Sequence, residues 1–194
     1  MNYLAHMLLS CTDSHQMTGN FMADFITNKE VKTLPETIQK GIELHKKIDH
    51  FTDNNDEVRK TTRLFYPTQS KYAPVVVDIL FDYFLTKNWA LYCSIPIIEF
   101  VNQTYDKLSE HEEHFPARLK TLFPKMVADD FLMSCKNEER LVKTLFHVSK
   151  RAKFQNQIHT AYDDMQIHYE RLDQCFHTFF PALITEVNQF CQCE

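Results

Sequence analysis

The chain has 194 residues, a formal net charge of −5 and only two glycines, Gly19 and Gly41. Average proteins contain about 7% glycine, and phosphate-binding loops, dinucleotide fingerprints and turn-rich β folds all need it. The composition therefore argues against these classes. With 44% hydrophobic residues and no linker or repeat, residues 1–194 are predicted to form one compact, all-α, multi-helix domain.

The charge balance argues against a dedicated nucleic-acid-binding protein, because such proteins usually carry a basic surface. The N-terminal segment lacks the basic residues of a signal peptide, and the uncharged stretch 88–98 is too short to span a membrane. The six cysteines are scattered, which is typical of reduced thiols. These features predict a cytoplasmic protein that binds neither nucleic acid nor membranes.

Hydrophobic periodicity predicts nine helices along the chain. The predicted helices cover residues 2–12, 18–27, 35–53, 72–90, 96–113, 116–134, 137–151, 155–173 and 175–192. Most prolines, Pro181 among them, are expected in first turns, where the missing N–H is not needed. Pro124 is expected at a boundary.

The helix predicted over residues 35–53 carries the clearest candidate site. His45 and Asp49 lie four residues apart in the middle of its apolar face, one turn above the other. A carboxylate directed toward a core is costly unless it is paired or binds a metal. The two residues therefore form either a hydrogen-bonded structural pair or part of a metal site, and this helix alone favours neither.

Further carboxylates occur in apolar surroundings. The helix predicted over 72–90 is apolar almost all round, yet it carries Asp78 and Asp82, whose charges would repel each other. His6 and Asp24 also lie among apolar neighbours. Taken alone, His6 is more simply explained as a satisfied core residue and Asp24 as a helix-end or hydrogen-bonding group. Together they predict a metal site between central helices, with a ligand mixture suited to Mn, Fe, Zn or Mg.

Two arginines follow the helix of His45. Arg59 and Arg63 are four residues apart. They are either ordinary solvated side chains, partners for Asp78 and Asp82, or groups that hold phosphate oxygens beside the metal.

At these positions the sequence resembles the acyl carrier protein phosphodiesterase family. The first half of the chain carries the resemblance, and the string from Gly41 to Asp53 is its most specific element. The matching segments are Asn2-x-Leu4-Ala5-His6, Gly19-Asn20-x-x-Ala23-Asp24-Phe25, Gly41-Ile42-x-Leu44-His45-x-x-Ile48-Asp49-x-Phe51-Thr52-Asp53, Arg59, Tyr72, Asp78, Asp82-x-x-Leu85 and Trp89.

The resemblance implies an atypical HD-type metal-dependent phosphohydrolase. Its implied reaction cleaves the phosphodiester that joins 4′-phosphopantetheine to a serine of holo-acyl carrier protein, releasing the apo-protein. Mn²⁺ is the usual metal, with other divalent ions possible. The implied roles are metal ligands for Asp24, His45, Asp49 and Asp78, catalysis for His6 and Asp82, and substrate binding for Arg59 and Arg63.

Carrier proteins are generally acidic, so the resemblance also implies a basic docking face. The residues expected to form it are Lys46, Lys47, Arg59, Lys60 and Arg63. Two alternatives stay open at this point. One is a related metal phosphohydrolase that acts on a nucleotide or another small phosphodiester. The other is a non-catalytic helical binding module whose buried His and Asp side chains are structural.

Overall fold

A computed structural model describes residues 1–10 and 13–191. Across these residues the secondary structure consists of helices without a strand, which confirms the predicted all-α class. The α-helices are α1 (Tyr3–Leu8), α2 (Ser14–Met22), α3 (Asn28–Val31), α4 (Glu36–Asn54), α5 (Asp56–Arg63), α6 (Tyr66–Gln69), α7 (Ala73–Lys87), α8 (Ile97–Ser109), α9 (Ala117–Ala128), α10 (Glu138–Arg151), α11 (Ala161–Ile167) and α12 (Tyr169–Cys191). Short 3₁₀ helices lie at Ala23–Phe25, Ser70–Tyr72, Trp89–Leu91, Glu112–His114, Phe131–Met133 and Ile158–Thr160.

Helices α4, α7, α8 and α10 begin within one residue of their predicted starts. The predicted break near residue 174 is wrong, because the chain breaks at His168 and α12 runs on through Pro181. Pro124 likewise lies inside α9 rather than at a boundary. Packing of the buried Phe179, Phe180 and Leu183 around Pro181 outweighs the lost backbone hydrogen bond. Residues 11, 12 and 192 of the predicted helices lie outside the described residues.

The core is built around α7, as its apolar sequence predicts. Ten of its 15 residues are buried. Rings of α7 pack against α12, where Phe81 stacks on Phe179 and Phe84 on Phe176. The buried aromatic side chains thus join the two halves of the chain, and the burial of such rings contributes roughly 1.5–3 kcal/mol each.

Among the described residues, no helix is both long enough and apolar enough to cross a membrane. Cys93, Cys135 and Cys175 are free thiols. Cys191 is disulfide-bonded, so the expectation that the cysteines are reduced is wrong at this position.

The backbones of α2 and α4 touch where each helix carries a glycine. A Cβ atom on Gly19 would overlap the carbonyl oxygen of Ile38, and one on Gly41 would overlap the carbonyl oxygen of Gln16. Both obstacles are backbone atoms, so neither can move aside like a flexible side chain. The two glycines are therefore required for this helix–helix distance, which brings Asn20 of α2 against His45 of α4.

Replacing Gly41 by alanine is expected to lower the free energy of unfolding by about 3 kcal/mol, because the helices must separate to admit the methyl group. Urea denaturation of the purified variant measures this loss. Glu43→Ala, at an exposed position of the same helix, is the matched control and should change stability by less than about 0.5 kcal/mol. A Gly41→Ala protein as stable as the wild type would contradict the close contact.

Candidate metal centre

Four of the predicted site residues converge from three parts of the chain. His6 comes from α1, Asp24 from the 3₁₀ turn that follows α2, and His45 with Asp49 from α4. Because α4 places His45 and Asp49 four residues apart, one helix supplies both an imidazole and a carboxylate to the same spot.

The distances define a compact cluster. His45 Nε2 lies 3.2 Å from Asp49 Oδ2 and 3.4 Å from Asp24 Oδ1. His6 Nε2 lies 3.2 Å from Asp49 Oδ1. The two imidazole rings stack with their centroids 4.2 Å apart. His6, His45 and Asp49 each offer one ligand atom, and these three atoms lie within 4.8 Å of one another. Among the described residues, these three side chains are the group that could hold a metal ion.

Asn20 fixes the orientation of both rings. Its side-chain oxygen lies 2.9 Å from His6 Nδ1, and its backbone oxygen lies 2.9 Å from His45 Nδ1. The Asn20 amide nitrogen donates to the His6 carbonyl and to Ser10, which defines which side-chain atom is the oxygen. Since both oxygens can only accept, each Nδ1 must donate a proton. In the neutral rings, each Nε2 then carries the lone pair and faces Asp49.

A lone pair 3.2 Å from a carboxylate oxygen is unfavourable unless a proton or a cation lies between them. His6 Nε2 is buried and makes no well-aligned hydrogen bond with a described residue. Asp24 and Asp49 remain partly accessible, with 58% and 41% of their side chains exposed. The donor set consists of two buried imidazoles and two carboxylates that are partly open to solvent. Such a set fits a divalent transition metal.

The pKa values reflect this crowding. Burial lowers the pKa of His45, but its hydrogen bonds to Asp24 and Asp49 outweigh burial and raise the pKa to about 9. Burial lowers the pKa of His6, and Asp49 offsets only part of that shift. Burial would raise the pKa of Asp49, but the two histidines hold it well below its usual range. Without a metal, a positive charge on His45 balances the carboxylates.

Asp78 lies beside this cluster and is separated from it by the α-amino group of Met1. The amino nitrogen is 3.2 Å from Asp78 Oδ1 and 3.8 Å from Asp49 Oδ1. Burial raises the pKa of the Asp78 carboxyl, and the amino group opposes the rise. Asp78 therefore contacts an ammonium group rather than the two histidines.

Asp82 is buried and serves the backbone of α1. Its two oxygens accept hydrogen bonds from the N–H groups of Leu4 and Ala5, at 3.2 and 3.4 Å. These N–H groups belong to the first turn of α1 and have no partner inside the helix. Burial raises the pKa of Asp82 to about 7, against the opposing effect of the hydrogen bonds from α1. This geometry gives Asp82 a positioning role, since it holds the helix that carries His6.

Arg59 and Arg63 line a cleft of about 380 Å³ that Asp78 also lines. Its apolar wall includes Val58 and Val77. Neither Asp78 nor Asp82 forms an ion pair with an arginine within the described part of the chain; the arginines face the cleft instead. The structure thus places two exposed guanidinium groups in a cleft that borders the candidate metal centre.

Several groups at the site escape sequence reasoning. No sequence pattern identifies Asn20 or the Met1 amino group as part of the site. Asn20 occurs in one of the segments that resemble the family, but that segment does not indicate its contacts with the histidines. Burial raises the pKa of Tyr3 to about 12; the charge of Asp24 adds to this shift, and the charges of Arg151 and Arg118 oppose it. Two arginines from the second half of the chain therefore lie within electrostatic reach of the site. The absence of acidic residues from 140–162 is the signal that could have drawn attention to this region.

The sequence of the chain matches one family of known proteins. The profile of the acyl carrier protein phosphodiesterase family matches residues 1–183. The chain belongs to this family. Membership in the acyl carrier protein phosphodiesterase family makes the protein a phosphoric diester hydrolase, and it excludes the alternative of a purely structural binding module.

Individual relatives cover nearly the whole chain. Proteins named acyl carrier protein phosphodiesterase are 27% identical in Enterobacter sp. strain 638 (187 residues; 96% of this chain and 97% of the relative) and 29% identical in Klebsiella pneumoniae (185 residues; 95% and 96%). The relative of that name from Escherichia coli strain ATCC 8739 is 26% identical over 190 residues, 97% of this chain and 98% of its own length. No solved structure matches the chain significantly.

Asp82→Asn is expected to change how stability depends on pH. A folded-state pKa of about 7, above the ordinary value of 3.8, means that the folded protein keeps a proton that the unfolded chain loses. The retained proton therefore adds to the free energy of unfolding below about pH 4, and this added stability disappears as the pH rises to about 7. Asparagine cannot titrate, so wild-type stability minus variant stability should fall by about 1 kcal/mol or more over this range. Urea denaturation at pH 4.5, 5.5, 6.5 and 7.5 measures the difference; a flat profile would contradict the raised pKa.

Proposed function

We propose that the protein is a metal-dependent phosphodiesterase that releases 4′-phosphopantetheine from the serine of holo-acyl carrier protein and leaves the apo-protein. The observation that carries this proposal is the convergence of His6, His45 and Asp49 beside a cleft with two arginines, in a chain of this family. A low-glycine chain lacks a phosphate loop, so metal and arginine would have to balance the charge of the phosphate.

The proposed ligands are the Nε2 atoms of His6 and His45 and the carboxylates of Asp49 and Asp24. When bound, a divalent ion, with Mn²⁺ the expected one, would supply an activated water and neutralise charge on the phosphoryl group. Asn20 would orient both imidazoles for this role through their Nδ1 atoms. Asp78 stands outside the proposed set, because the Met1 amino group lies between it and Asp49.

The cleft fits the substrate by size and by chemistry. A volume of about 380 Å³ lies within the usual range for small-molecule sites. Arg59 and Arg63 would hold the non-bridging phosphate oxygens, since planar guanidinium groups bind phosphate with two parallel hydrogen bonds. The apolar wall that includes Val58 and Val77 suits the hydrocarbon part of the pantetheine arm.

Proton transfer needs a group other than the histidines. In the proposed site both nitrogens of His6 are engaged, one with Asn20 and one toward Asp49. Asp78 lines the cleft, and burial raises the pKa of its carboxyl against the opposing effect of the Met1 amino group. We therefore assign proton donation to the departing serine oxygen to Asp78.

Mass spectrometry of holo-acyl carrier protein incubated with the enzyme and Mn²⁺ tests the reaction and the bond together. The wild type should remove the mass of phosphopantetheine, whereas Asp49→Ala should be slower by at least about 100-fold, since it loses the carboxylate shared by both histidines. Glu43→Ala, on the exposed side of α4, is the matched control and should retain activity.

An intact carrier protein after incubation with the wild type, or equal rates for wild type and Asp49→Ala, would refute the proposed function. Hydrolysis of a nucleotide diester in place of the carrier protein would identify the related small-substrate phosphohydrolase instead.

Asn20→Ala is expected to weaken Mn²⁺ binding by about 10- to 100-fold, because His6 loses the hydrogen bond that fixes its tautomer. Isothermal titration calorimetry measures the affinity without reference to turnover. Ser10→Ala is the control, because it removes the bond from the Asn20 amide to Ser10 and the bond from the Ser10 hydroxyl to the His6 carbonyl, but leaves both Nδ1 contacts in place. Unchanged affinity in Asn20→Ala would contradict the orienting role.

A further inference from the structure

The stretch from residue 140 to residue 162 differs in charge from the rest of the chain. It contains five Lys or Arg residues and no Asp or Glu, although acidic residues outnumber basic ones in the whole chain by 26 to 21. Among the described residues, the Lys and Arg side chains that form ion pairs are Lys40, Lys60 and Arg171. The basic residues of 140–162 therefore carry charges that no carboxylate of the described chain neutralises.

Exposed aromatic rings lie among these charges. Phe146 of α10 is 48% exposed and Phe154 is 55% exposed. The ammonium groups of Lys71 and Lys153 lie over the ring of Phe154, at 3.3 and 5.6 Å from its centroid. Lys150 lies 5.1 Å from the centroid of Phe146. Exposed rings with cations held over them combine apolar area and positive charge, a combination that suits an acidic protein partner.

This surface is connected to the candidate metal centre. The N–H of Phe154 donates a 3.1 Å hydrogen bond to the Tyr72 hydroxyl, and Tyr72 immediately precedes α7, whose second turn carries Asp78. At the end of α10, Arg151 acts electrostatically on Tyr3, near Asp24. This surface therefore contacts the segment that leads into α7, the helix that carries Asp78.

We propose that Lys71, Phe146, Lys150, Lys153 and Phe154, the α10 surface, form the docking face for the acidic carrier protein whose prosthetic group is cleaved. The inference rests on the proposed function for the identity of the partner. Unpaired cations on a net-negative protein attract an acidic protein to one place, and the exposed rings supply apolar contact once it arrives.

The face expected from the sequence alone suits an acidic partner less well. Residues 36–63 contain six acidic and six basic residues, so this segment has no net charge. Lys60 forms an ion pair with Glu57 at 2.8 Å, so its charge is already balanced within the chain. Arg59 and Arg63 face the cleft, where a small phosphate group fits better than a protein surface.

The test is a charge reversal, Lys150→Glu with Lys153→Glu, in the full chain. Three quantities are compared with the wild type: the Kd for apo-acyl carrier protein, the KM for the holo form, and turnover of bis(p-nitrophenyl) phosphate, a small diester without a protein. Kd and KM should rise more than about tenfold, and turnover of the small diester should stay within about twofold. Wild-type binding should weaken when NaCl rises from 50 to 200 mM.

The matched control is Lys125→Glu with Lys136→Glu, which makes the same change in charge. Lys136 lies just before α10 and Lys125 in the last turn of α9, so both are remote in sequence from the C-terminal end of α10. Its Kd should rise by less than about threefold. An equal loss in the control, or an unchanged Kd in the test variant, overturns the docking face. A parallel loss of small-diester turnover also overturns it, since the lysines would then serve the phosphate.

Circular dichroism and thermal melting verify that the reversed variant is folded. If it is not, Lys150→Gln with Lys153→Gln replaces it and should raise Kd at least about threefold. Binding of the apo form requires no hydrolysis, so failure of the proposed reaction and failure of the docking face are separate results. A wild type that binds no carrier protein overturns the docking face.

Discussion

The backbones of α2 and α4 meet at Gly19 and Gly41, and the candidate site is assembled across this contact. Asn20 follows Gly19 directly. The short distance between the helices, which leaves no room for a Cβ atom on Gly19, therefore also brings the Asn20 carbonyl within hydrogen-bond distance of His45 Nδ1. A wider helix spacing would separate these atoms and leave a buried imidazole N–H without an acceptor, which costs roughly 1–3 kcal/mol. The packing of α2 on α4 and the orientation of His45 therefore both depend on the distance between these two helices.

A second constraint is electrostatic. The cluster gathers the carboxylates of Asp24 and Asp49 around two stacked imidazoles, with Asp78 beside it, and burial disfavours uncompensated charge there. The Met1 amino group and a protonated His45 balance part of the negative charge. A divalent ion would take over this balance at the Nε2 atoms. The same crowding of negative charge would favour the binding of a cation.

Periodicity was sufficient to predict the elements that carry the site. His45 and Asp49 could be assigned to one face of α4 because both lie in a single long helix, where sequence spacing fixes geometry. Asp24 could not be placed this way, since it lies in a 3₁₀ turn and is exposed rather than directed inward. The use of Asp82 by the N–H groups of α1 depends on tertiary packing, which no local pattern encodes.

The second half of the chain illustrates the same limit. No motif marks it, and the spacing of its phenylalanines does not distinguish buried rings from exposed ones. Phe176 and Phe180 are buried, whereas Phe146 is exposed. Lys71 and Lys153 meet over one ring although they are far apart in sequence, so only the fold shows that they share a surface.

The uneven distribution of charge has a kinetic consequence. The whole chain carries −5 and residues 140–162 carry +5, so the remaining residues together carry −10. Such a molecule has an electric dipole, and an acidic body diffusing toward it is repelled from most directions and attracted from one. Encounters would be oriented before contact, which raises the association rate without requiring a long-lived complex. Fast arrival with ready departure would suit the proposed reaction, in which the product protein is almost identical to the substrate protein.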